Sequence, residues 1–555
     1  MLELIEDLLY FFRKRIYCVG LITTMLLSYA TLLIRPTIGI DDTSFKLYYI
    51  DGVSPAMGRW CLFIIHRFFP LDYNPYFVES IGLLLFCVSV SLWCIVFKRL
   101  FENRIPLIGY LFFSCVMISS PILSEVVVWY VQDGIYLGYG VTALAVLAGM
   151  KAFSGEKFTR ENFRYTLLSA SLLAVALGFY EAFMIVYLMA MVMCFMLIRV
   201  FQINTYTNRP IRWLLNTLSL CVVTMILRSL FINGISAVFQ LQEQALVLKS
   251  RGLSDIMLLM RGLLDGSRNA EEFMLVLKEF WIKYNIHGIV YFPVFVLVLA
   301  KAILIVWGIV RSIMQKDVWI AVAMVGILLL PWSMPFLEGT ATYYRSSEYV
   351  PLITAFASLI VVYEVSRNEK PTWVRLGVVV LSFSLLYHQA YEMNKWLLID
   401  ANKYDDDKRM MSALAIELMR DYDINKPICV VGNRQTPVSL LEKVYIPEWS
   451  KKYVLVKAFV CAVDERVFEK YNTEWGYAVA ESPQLSFVNW ANKAYYGFDR
   501  ELIKFWKMHG FSFIEDGELT HYRQAEEQMK DAPVWPERGS IVEMEDHIVV
   551  NLGNF

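Results

Sequence analysis

Residues 166–199 decide the fold, and they read TLLSASLLAVALGFYEAFMIVYLMAMVMCFMLIR. A helix that crosses about 30 Å of hydrocarbon needs about 20 apolar residues, so this run of about 34 is too long for one pass and long enough for two. Glu181 is the only charged residue in its interior, and it follows Gly178, Phe179 and Tyr180. We therefore predict two membrane-spanning helices that turn at residues 178–181.

Similar apolar runs recur along the 555 residues, of which 57 % are hydrophobic and 19 % charged. Soluble domains carry roughly 25 % charged residues, so the composition excludes a soluble enzyme, a disordered tail and a fibre. The 51 Lys and Arg residues balance the 52 Asp and Glu residues. The chain therefore lacks the excess of basic residues that would indicate nucleic-acid binding. We predict a polytopic α-helical membrane protein with about eleven transmembrane helices. They lie near 16–34, 77–97, 105–120, 134–150, 166–179, 181–199, 213–232, 288–310, 318–333, 349–364 and 372–390.

Lys and Arg concentrate in alternate loops, beginning at residues 13–15 and ending at 367–375. Cytoplasmic loops hold an excess of these residues, so the N-terminus of this multi-pass protein is predicted to be cytoplasmic. An odd number of spans then places residues 391–555 outside. Residues 16–34 are predicted to be an uncleaved span rather than a signal peptide ending near Ala30, because the apolar run continues to Ile34. Residues 1–12 are typical of an amphipathic helix on the inner surface.

The chain is thus predicted to comprise a membrane-embedded domain, residues 1–390, and a soluble extracytoplasmic α/β domain, residues 391–555. The membrane domain has two long outer loops, 35–76 and 233–287. In the soluble domain we predict helices at 408–420 and 500–508, and strands at 427–432, 453–463 and 540–551. The run 405–407, three aspartates, is expected at the N-terminus of the first helix, where carboxylates suit the helix dipole. Cys429 and Cys461 are able to pair if this domain lies outside the cytoplasm.

Carboxylates gather at the predicted outer ends of the spans. They are Asp41, Asp42, Asp51, Asp72, Glu79, Glu125, Asp133, Glu181, Glu338 and Glu348. The ordinary polarity of loops accounts for about half of these acids. It explains Asp41 and Asp42 poorly, because adjacent carboxylates repel and a partly buried one needs a proton or a cation. It also explains Glu181 poorly, because its neighbours on both sides are apolar.

A membrane surface that carries these carboxylates suits a glycosyl transfer that inverts the configuration at the anomeric carbon. In that reaction one carboxylate takes the proton of the acceptor hydroxyl. A lipid phosphate leaving group needs Lys or Arg close by. The cations predicted at or near this face are Lys46, Arg59, Arg228 and Arg345. For Arg228, and for Lys301 inside the eighth run, snorkelling to the interface is an equally good interpretation. Most tryptophans near span ends are predicted to be interfacial anchors, with Trp129 and Tyr344 as alternative platforms for sugar rings. These tryptophans are Trp60, Trp93, Trp129, Trp332 and Trp396.

Several short motifs follow one another in a recognisable order. They are Ile40-Asp41-Asp42, Gly58-Arg59-Trp60, Ser120–Glu125 with Tyr130 and Asp133, Gly178–Ala182, Tyr344-Arg345, Asn394 with Asp406, and Phe487–Trp490 before Ile503–Gly510. This order resembles that of the bacterial serotype-converting O-antigen glucosyltransferases, polytopic enzymes of the GT-C fold. Two departures from that family stand out. Glu181 replaces a Gln, and Thr43–Lys46 follow the Asp pair where the family often has Arg.

The resemblance implies a polyprenyl-phosphate sugar donor, such as undecaprenyl-phosphate glucose, and an acceptor that is a lipid-linked or surface polysaccharide. It implies a carboxylate base, and we prefer Asp42 to Asp41 for this role. Arg59 and Arg345 are then expected to hold donor phosphate or acceptor charge. Glu125, Asp133 and Glu181 are expected to bind sugar hydroxyls or to orient the cations. No cofactor is implied, and a divalent cation is left open. The resemblance also implies a location in the bacterial inner membrane.

Other interpretations predict different features. The sequence Gly138–Ala143 matches a dinucleotide-binding G-x-G-x-x-A pattern, but it lies inside an apolar run, which favours helix packing through small residues. The six histidines lack zinc-ligand spacing. A polysaccharide polymerase or ligase remains the alternative function and would use Arg-dominated outer loops. A lipid-linked sugar transporter or flippase would show inverted repeats and midplane charge, and no clear repeat is present.

Overall fold

The structure is a computed structural model, and it describes residues 2–35, 37, 53–56, 58–68, 75–127, 134–155, 159–203, 205–206, 209–240, 292–333, 347–367, 371–432, 501–514 and 519–553. Seven of the described helices are long and apolar enough to cross a membrane. In chain order the helices up to residue 421 are α1 (Leu2–Phe12), α2 (Arg15–Ile34), α3 (Val53–Ala56), α4 (Trp60–Phe68), α5 (Pro75–Phe101), α6 (Leu107–Ile118), α7 (Ser124–Val127), α8 (Gly134–Ala152), α9 (Arg160–Phe179), α10 (Phe183–Phe201), α11 (Pro210–Val238), α12 (Phe292–Gln315), α13 (Val318–Leu329), α14 (Tyr349–Arg367) and α15 (Thr372–Asp421).

Each of the eleven predicted spans coincides with one of these helices, although the number that cross a membrane stays a prediction. The predicted break in the long apolar run is confirmed, because α9 ends at Phe179 and α10 begins at Phe183. Tyr180 between them is extended, with φ −157° and ψ 136°. The predicted loop 233–287 begins later than expected, because α11 continues to Val238.

Glycines in α8 let neighbouring helices approach closely. A Cβ atom on Gly138 would lie 2.0 Å from Cε2 of Phe183 in α10, and one on Gly140 would lie 2.6 Å from Oγ of Ser89 in α5. Such contacts are possible only for glycine, which explains the G-x-G-x-x-A pattern as helix packing rather than phosphate binding.

The helices have two chemically different ends. The end that carries Lys98, Arg99, Lys151, Arg199 and Arg311 is called the basic end, and the end that carries Arg59 and Glu181 is called the site end. Helix α1 lies at the basic end, where Asp7 pairs with Nζ of Lys98 (2.7 Å) and Nη2 of Arg99 (3.1 Å). Leu2, Ile5 and Leu9 remain exposed on the same helix, a pattern typical of a helix in a membrane interface.

Helix α15 joins the membrane region to the C-terminal region without interruption. Its 50 residues extend for about 75 Å. The three aspartates at 405–407 therefore lie inside a helix, and the prediction that they cap its N-terminus is wrong. The polar stretch does not break the helix because i,i+3 ion pairs stabilise it, such as Lys403 with Asp400 (3.0 Å) and Lys408 with Asp405 (2.7 Å). Whether a domain boundary falls at residue 390 stays a prediction.

Polar contacts fasten α15 to α2. The Thr31 hydroxyl donates to Oδ1 of Asn394 (3.0 Å), and Nδ2 of Asn394 donates to the carbonyl of Leu27. Arg35 follows the last residue of α2, one turn beyond Thr31, and it pairs with Asp405 and donates to Oδ1 of Asn402 (3.2 Å). The end of α2, and with it the start of the segment that contains Asp41 and Asp42, is thus held by the long helix.

Replacing Asn394 with leucine is expected to lower the free energy of unfolding by about 1–2 kcal/mol, since three hydrogen bonds to α2 are lost. Thermal denaturation of the purified protein in detergent measures the effect. Ser384→Ala, an exposed position on the same helix, is the matched control and is expected to change nothing. Equal effects of the two substitutions would contradict the importance of this contact.

The described part of the C-terminal region contains a three-stranded sheet with helices on both faces. Its elements are β1 (Ile428–Val431), α16 (Glu501–Met508), α17 (Leu519–Gln528), β2 (Ile541–Glu543) and β3 (Ile548–Asn551). The strand order is β1-β3-β2, with β1 parallel and β2 antiparallel to β3. One face packs on α15 and α16 through Leu414, Phe505 and Trp506, and the other packs on Tyr522, Ala525 and Met529.

The predicted strand at 427–432 and helix at 500–508 are confirmed. The single strand predicted at 540–551 is wrong, because it is a hairpin. The amide of Met544 donates to the carbonyl of His547 (2.8 Å) and turns the chain back. The predicted strand 453–463 and Cys461 lie outside the described residues.

Candidate functional site

Helix α4 places Arg59 at the site end by packing against α9 and α11. Trp60 and Cys61 lie against Gly178, where a Cβ atom would be only 2.6 Å from Cε2 of Trp60. The Trp60 ring also lies 5.0 Å from that of Phe231 in α11. The turn before α4 is fixed by the amide of Arg59, which donates to the carbonyl of Ser54 (2.8 Å). The apolar face of α4 therefore determines where the guanidinium points.

Arg59 pairs with Glu181, which lies in the turn between α9 and α10. Nη2 of Arg59 is 3.3 Å from Oε1 of Glu181, and Nε is 3.5 Å from Oε2, so both carboxylate oxygens face the guanidinium fork. The same guanidinium lies over the ring of Tyr180, 4.7 Å from its centroid. A cation between a carboxylate and an aromatic face is held in one orientation.

Glu181 is the more exposed member of this ion pair. Its side chain is 44 % exposed, whereas the side chain of Arg59 is 15 % exposed. Desolvation opposes ionisation of Glu181, but the charge of Arg59, the hydrogen bond from Arg59 and the charge of Arg228 outweigh it and hold the pKa of Glu181 below its ordinary value. The carboxylate is therefore ionised at neutral pH, and it is a partner for cations rather than a proton donor.

Arg228, on α11, reaches the same site because Gly58 has no side chain in its way. A Cβ atom on Gly58 would lie 1.9 Å from Nη2 of Arg228, so the guanidinium occupies the space that a side chain would fill. Gly58 has φ +90°, a conformation that glycine adopts without strain. Nε of Arg228 is buried and has no hydrogen-bond partner within the described residues. Any residue but glycine at position 58 would displace this arginine.

The described cluster of Arg59, Arg228 and Glu181 carries two positive charges and one negative charge. Its net charge of about +1 suits one anionic group, and guanidinium groups match the geometry of phosphate oxygens. Glu181 is paired with Arg59, and both roles predicted for it, binding sugar hydroxyls and orienting the cations, stay predictions. The cluster can thus bind a phosphate and stabilise charge that develops on it.

The pair of Arg59 and Glu181 is expected to make stability depend on pH. Because the pKa of Glu181 is lowered from 4.5 by folding, its contribution is complete above that pH and is lost as the pH falls through the folded pKa. Wild type is therefore expected to be more stable than Glu181→Gln at pH 7, and the difference should shrink progressively below pH 4.5. Melting temperatures of the two proteins between pH 7 and pH 3 measure it. A difference that does not change with pH would contradict the ion pair.

Two acids of the site end are buried rather than exposed in loops. Glu79 and Glu348 are 2 % and 1 % exposed, and the Tyr139 hydroxyl donates to the carbonyl of Glu348 (2.7 Å). Loop polarity therefore does not explain these residues. His66 is buried in α4, and desolvation lowers its pKa to about 4, so it is neutral at pH 7.

The prediction that Trp60, Trp93 and Trp396 are interfacial anchors is wrong. They are 7 %, 0 % and 5 % exposed, because other helices pack around them. Lys301 is 8 % exposed on α12, so its side chain is buried inside the protein.

Several predicted site residues lie outside the described residues, and their roles stay predictions. They are Asp41, Asp42, Lys46, Asp133, Tyr344 and Arg345. Glu125 lies in α7, but its side chain is not described. Within the described parts of the chain, no three His, Cys, Asp or Glu side chains are grouped to hold a metal ion. Two residues not predicted to act at the site, Tyr180 and Gly58, belong to it, and both are neighbours of predicted ones in the sequence.

The fold and this cluster define a helical membrane protein that gathers two arginines and a carboxylate at one end of its helices. No curated protein and no solved structure gives a significant match to the chain. A family model described as Glucosyl transferase GtrII matches residues 30–362, more than half of the chain. The chain belongs to the GtrII glucosyl transferase family, so it is a membrane glucosyltransferase. The match confirms the predicted resemblance, and it includes Asp41, Asp42, Arg59, Glu181 and Arg228.

Proposed function

We propose that the protein transfers glucose from a polyprenyl-phosphate donor to a cell-surface polysaccharide at the site end, which faces away from the cytoplasm. The observation that carries this proposal is the convergence of Arg59 and Arg228 on Glu181, because these three residues together carry a net charge of about +1 near the ends of membrane-spanning helices. A donor anchored in the bilayer presents its phosphate at this depth. A nucleotide sugar would need no such placement.

Arg228 and Arg59 hold the donor phosphate. Arg228 keeps one buried donor, Nε, without a partner within the described residues, and Arg59 is fixed by Glu181 and Tyr180. Fixed cations stabilise the leaving phosphate without reorganisation, which is the largest catalytic contribution in many enzymes. Arg345, Lys46 and Tyr344 complete the donor site, and Glu125 and Asp133 bind sugar hydroxyls.

Asp42 is the general base, with Asp41 as its neighbour. It removes the proton from the acceptor hydroxyl, the oxygen attacks the anomeric carbon, and the bond from that carbon to the phosphate oxygen breaks. The phosphate leaves with the electron pair, and the configuration inverts. The segment that carries both aspartates joins the end of α2 to the turn that positions Arg59, which supports placing them at this site. This mechanism needs no metal or organic cofactor.

The C-terminal α/β region recognises the acceptor glycan. The continuous helix α15 and its contacts with α2, including Arg35 with Asp405, join this region to the start of the segment with the aspartates. A polysaccharide bound there would present its hydroxyl beside the base.

Sugar analysis of surface polysaccharide from cells with and without the gene tests the function. The proposal predicts additional glucose branches when the gene is present. An unchanged sugar composition with an altered chain length would instead indicate a polymerase or ligase, and an unchanged polysaccharide with altered lipid-linked sugar distribution would indicate a transporter. Either result would contradict the proposal.

A further inference from the structure

The turn before α4 meets helix α11 at the arginine cluster. Gly58 lies in this turn, and a Cβ atom added to it would stand 1.9 Å from Nη2 and 2.8 Å from Cζ of Arg228. Two hydrogen bonds hold the backbone of the turn. The amide of Gly58 donates to the carbonyl of Pro55 (2.9 Å), and the Ser54 hydroxyl donates to the carbonyl of Arg59 (3.0 Å). One short turn is thus in contact with one arginine and ends on the other.

Aromatic contacts fix α4 and α11 against each other beyond this turn. The ring of Trp60 lies 5.0 Å from that of Phe231, and the ring of Phe63 lies 5.2 Å from that of Phe239, the residue that follows α11. Both rings that α4 contributes are buried, so these contacts hold the two helices in one register. Residues other than the glycine therefore determine where the side chain of the arginine on α11 begins.

A side chain at position 58 would be accommodated by moving the guanidinium. The atoms that it meets are the far end of a long, flexible side chain, whereas the backbone on both sides is held by the contacts above. The charges of Arg228 and Glu181 act on each other, so this movement would change the charge distribution of the cluster. We expect a displaced arginine in an otherwise unchanged fold, with the backbone strain that φ +90° imposes on residues other than glycine.

We propose that Gly58 is a positioning residue for the donor phosphate and that it acts through Arg228. Its lack of a side chain seats this guanidinium beside the pair of Arg59 and Glu181. The turn thereby places both arginines, Arg59 as its last residue and Arg228 through the space that it leaves empty. The inference rests on the proposed function, because its ligand is the phosphate of the lipid-linked donor.

A double-mutant cycle tests this proposal, with polyprenyl-phosphate glucose as the donor and the full-length protein in membranes. Gly58→Ala is expected to lower kcat/KM for the donor about tenfold, because a guanidinium that binds phosphate is displaced. Arg228→Ala is expected to lower it by about 10²-fold. Gly58→Ala should lower it no further when combined with Arg228→Ala, since no guanidinium is left to move. KM for the acceptor polysaccharide should stay unchanged in all three variants, whereas a general loss of folding would not single out the donor.

Backbone strain is controlled separately. Gly155 has φ +71°, and an added Cβ atom there would have no other atom within 4 Å. Gly155→Ala therefore introduces similar strain without a contact, and it should leave transfer unchanged. Gly58→Asn places a larger side chain on a residue type that tolerates positive φ. If displacement of the arginine is the cause, Gly58→Asn should lower kcat/KM for the donor at least as much as Gly58→Ala does.

Two results would overturn the proposal while leaving the donor assignment intact. They are a further loss of kcat/KM when Gly58→Ala is added to Arg228→Ala, and a smaller loss in Gly58→Asn than in Gly58→Ala. Wild-type protein that transfers no glucose from the lipid donor would instead contradict the proposed function, and this inference with it.

Discussion

Replacing Asp42 with asparagine is expected to lower the rate of glucosyl transfer by about 10²–10⁴-fold, the usual contribution of a general base. Asparagine has nearly the same shape, so donor binding should persist while the acceptor hydroxyl keeps its proton. Initial rates with labelled polyprenyl-phosphate glucose, in membranes that contain equal amounts of each protein, measure the loss.

Asp41→Asn is the matched control for Asp42→Asn because it changes the adjacent carboxylate in the same way. We expect a smaller loss of transfer rate, because this substitution changes only the charge beside the base. A large loss in Asp41→Asn alone would assign the base to Asp41. Full activity in both variants would contradict a carboxylate base in this segment.

Replacing Arg59 with alanine is expected to lower transfer by about 10²–10³-fold, because the leaving phosphate loses a fixed cation. The structure adds a second effect. Without Arg59, Glu181 remains as an unpaired, partly exposed anion that would repel the donor phosphate. The double variant Arg59→Ala with Glu181→Ala should therefore be more active than Arg59→Ala alone, by about tenfold.

The control for this series is Arg67→Ala, an exposed arginine on the same helix α4. It should leave transfer unchanged, since Arg67 lies two turns beyond Arg59. If the double variant were less active than Arg59→Ala, Glu181 would contact the sugar directly rather than orient Arg59. That result would contradict the role assigned to Glu181 here.

Much of the membrane region is predictable because apolar length and isolated charges determine where helices begin and end. Glu181 marks the turn between α9 and α10 because no helix of about 34 residues fits the hydrocarbon thickness. Periodicity also predicts α1, the strand at 428–431 and the helix at 501–508. These features depend on local sequence alone.

Contacts between distant segments were not predictable in the same way. Arg59 and Glu181 are 122 positions apart, and the sequence around each residue gives no sign that the two form a pair. Only the packing of α4 on Gly178 brings them together. The burial of Glu79 and Glu348 likewise depends on helices that surround them, which a single sequence does not show.

Local sequence patterns mislead where tertiary contacts override them. The polar stretch near Asp405 resembles a helix start, yet α15 continues through it because ion pairs and contacts with α2 stabilise the helix. Residues 540–551 have the composition of one strand, but the short turn at 544–547 folds them into a hairpin. Trp93 has the sequence position of an anchor, and its burial follows from neighbours far along the chain.

The central claim is that glucose reaches this site on a polyprenyl phosphate, and one measurement tests it most directly. Vesicles that contain the purified protein and acceptor polysaccharide are supplied with labelled glucose either as polyprenyl-phosphate glucose or as UDP-glucose. We predict that label enters the polysaccharide from the lipid donor alone and that Arg59→Ala blocks the transfer. Label that enters from UDP-glucose in the absence of any polyprenyl phosphate would contradict the claim.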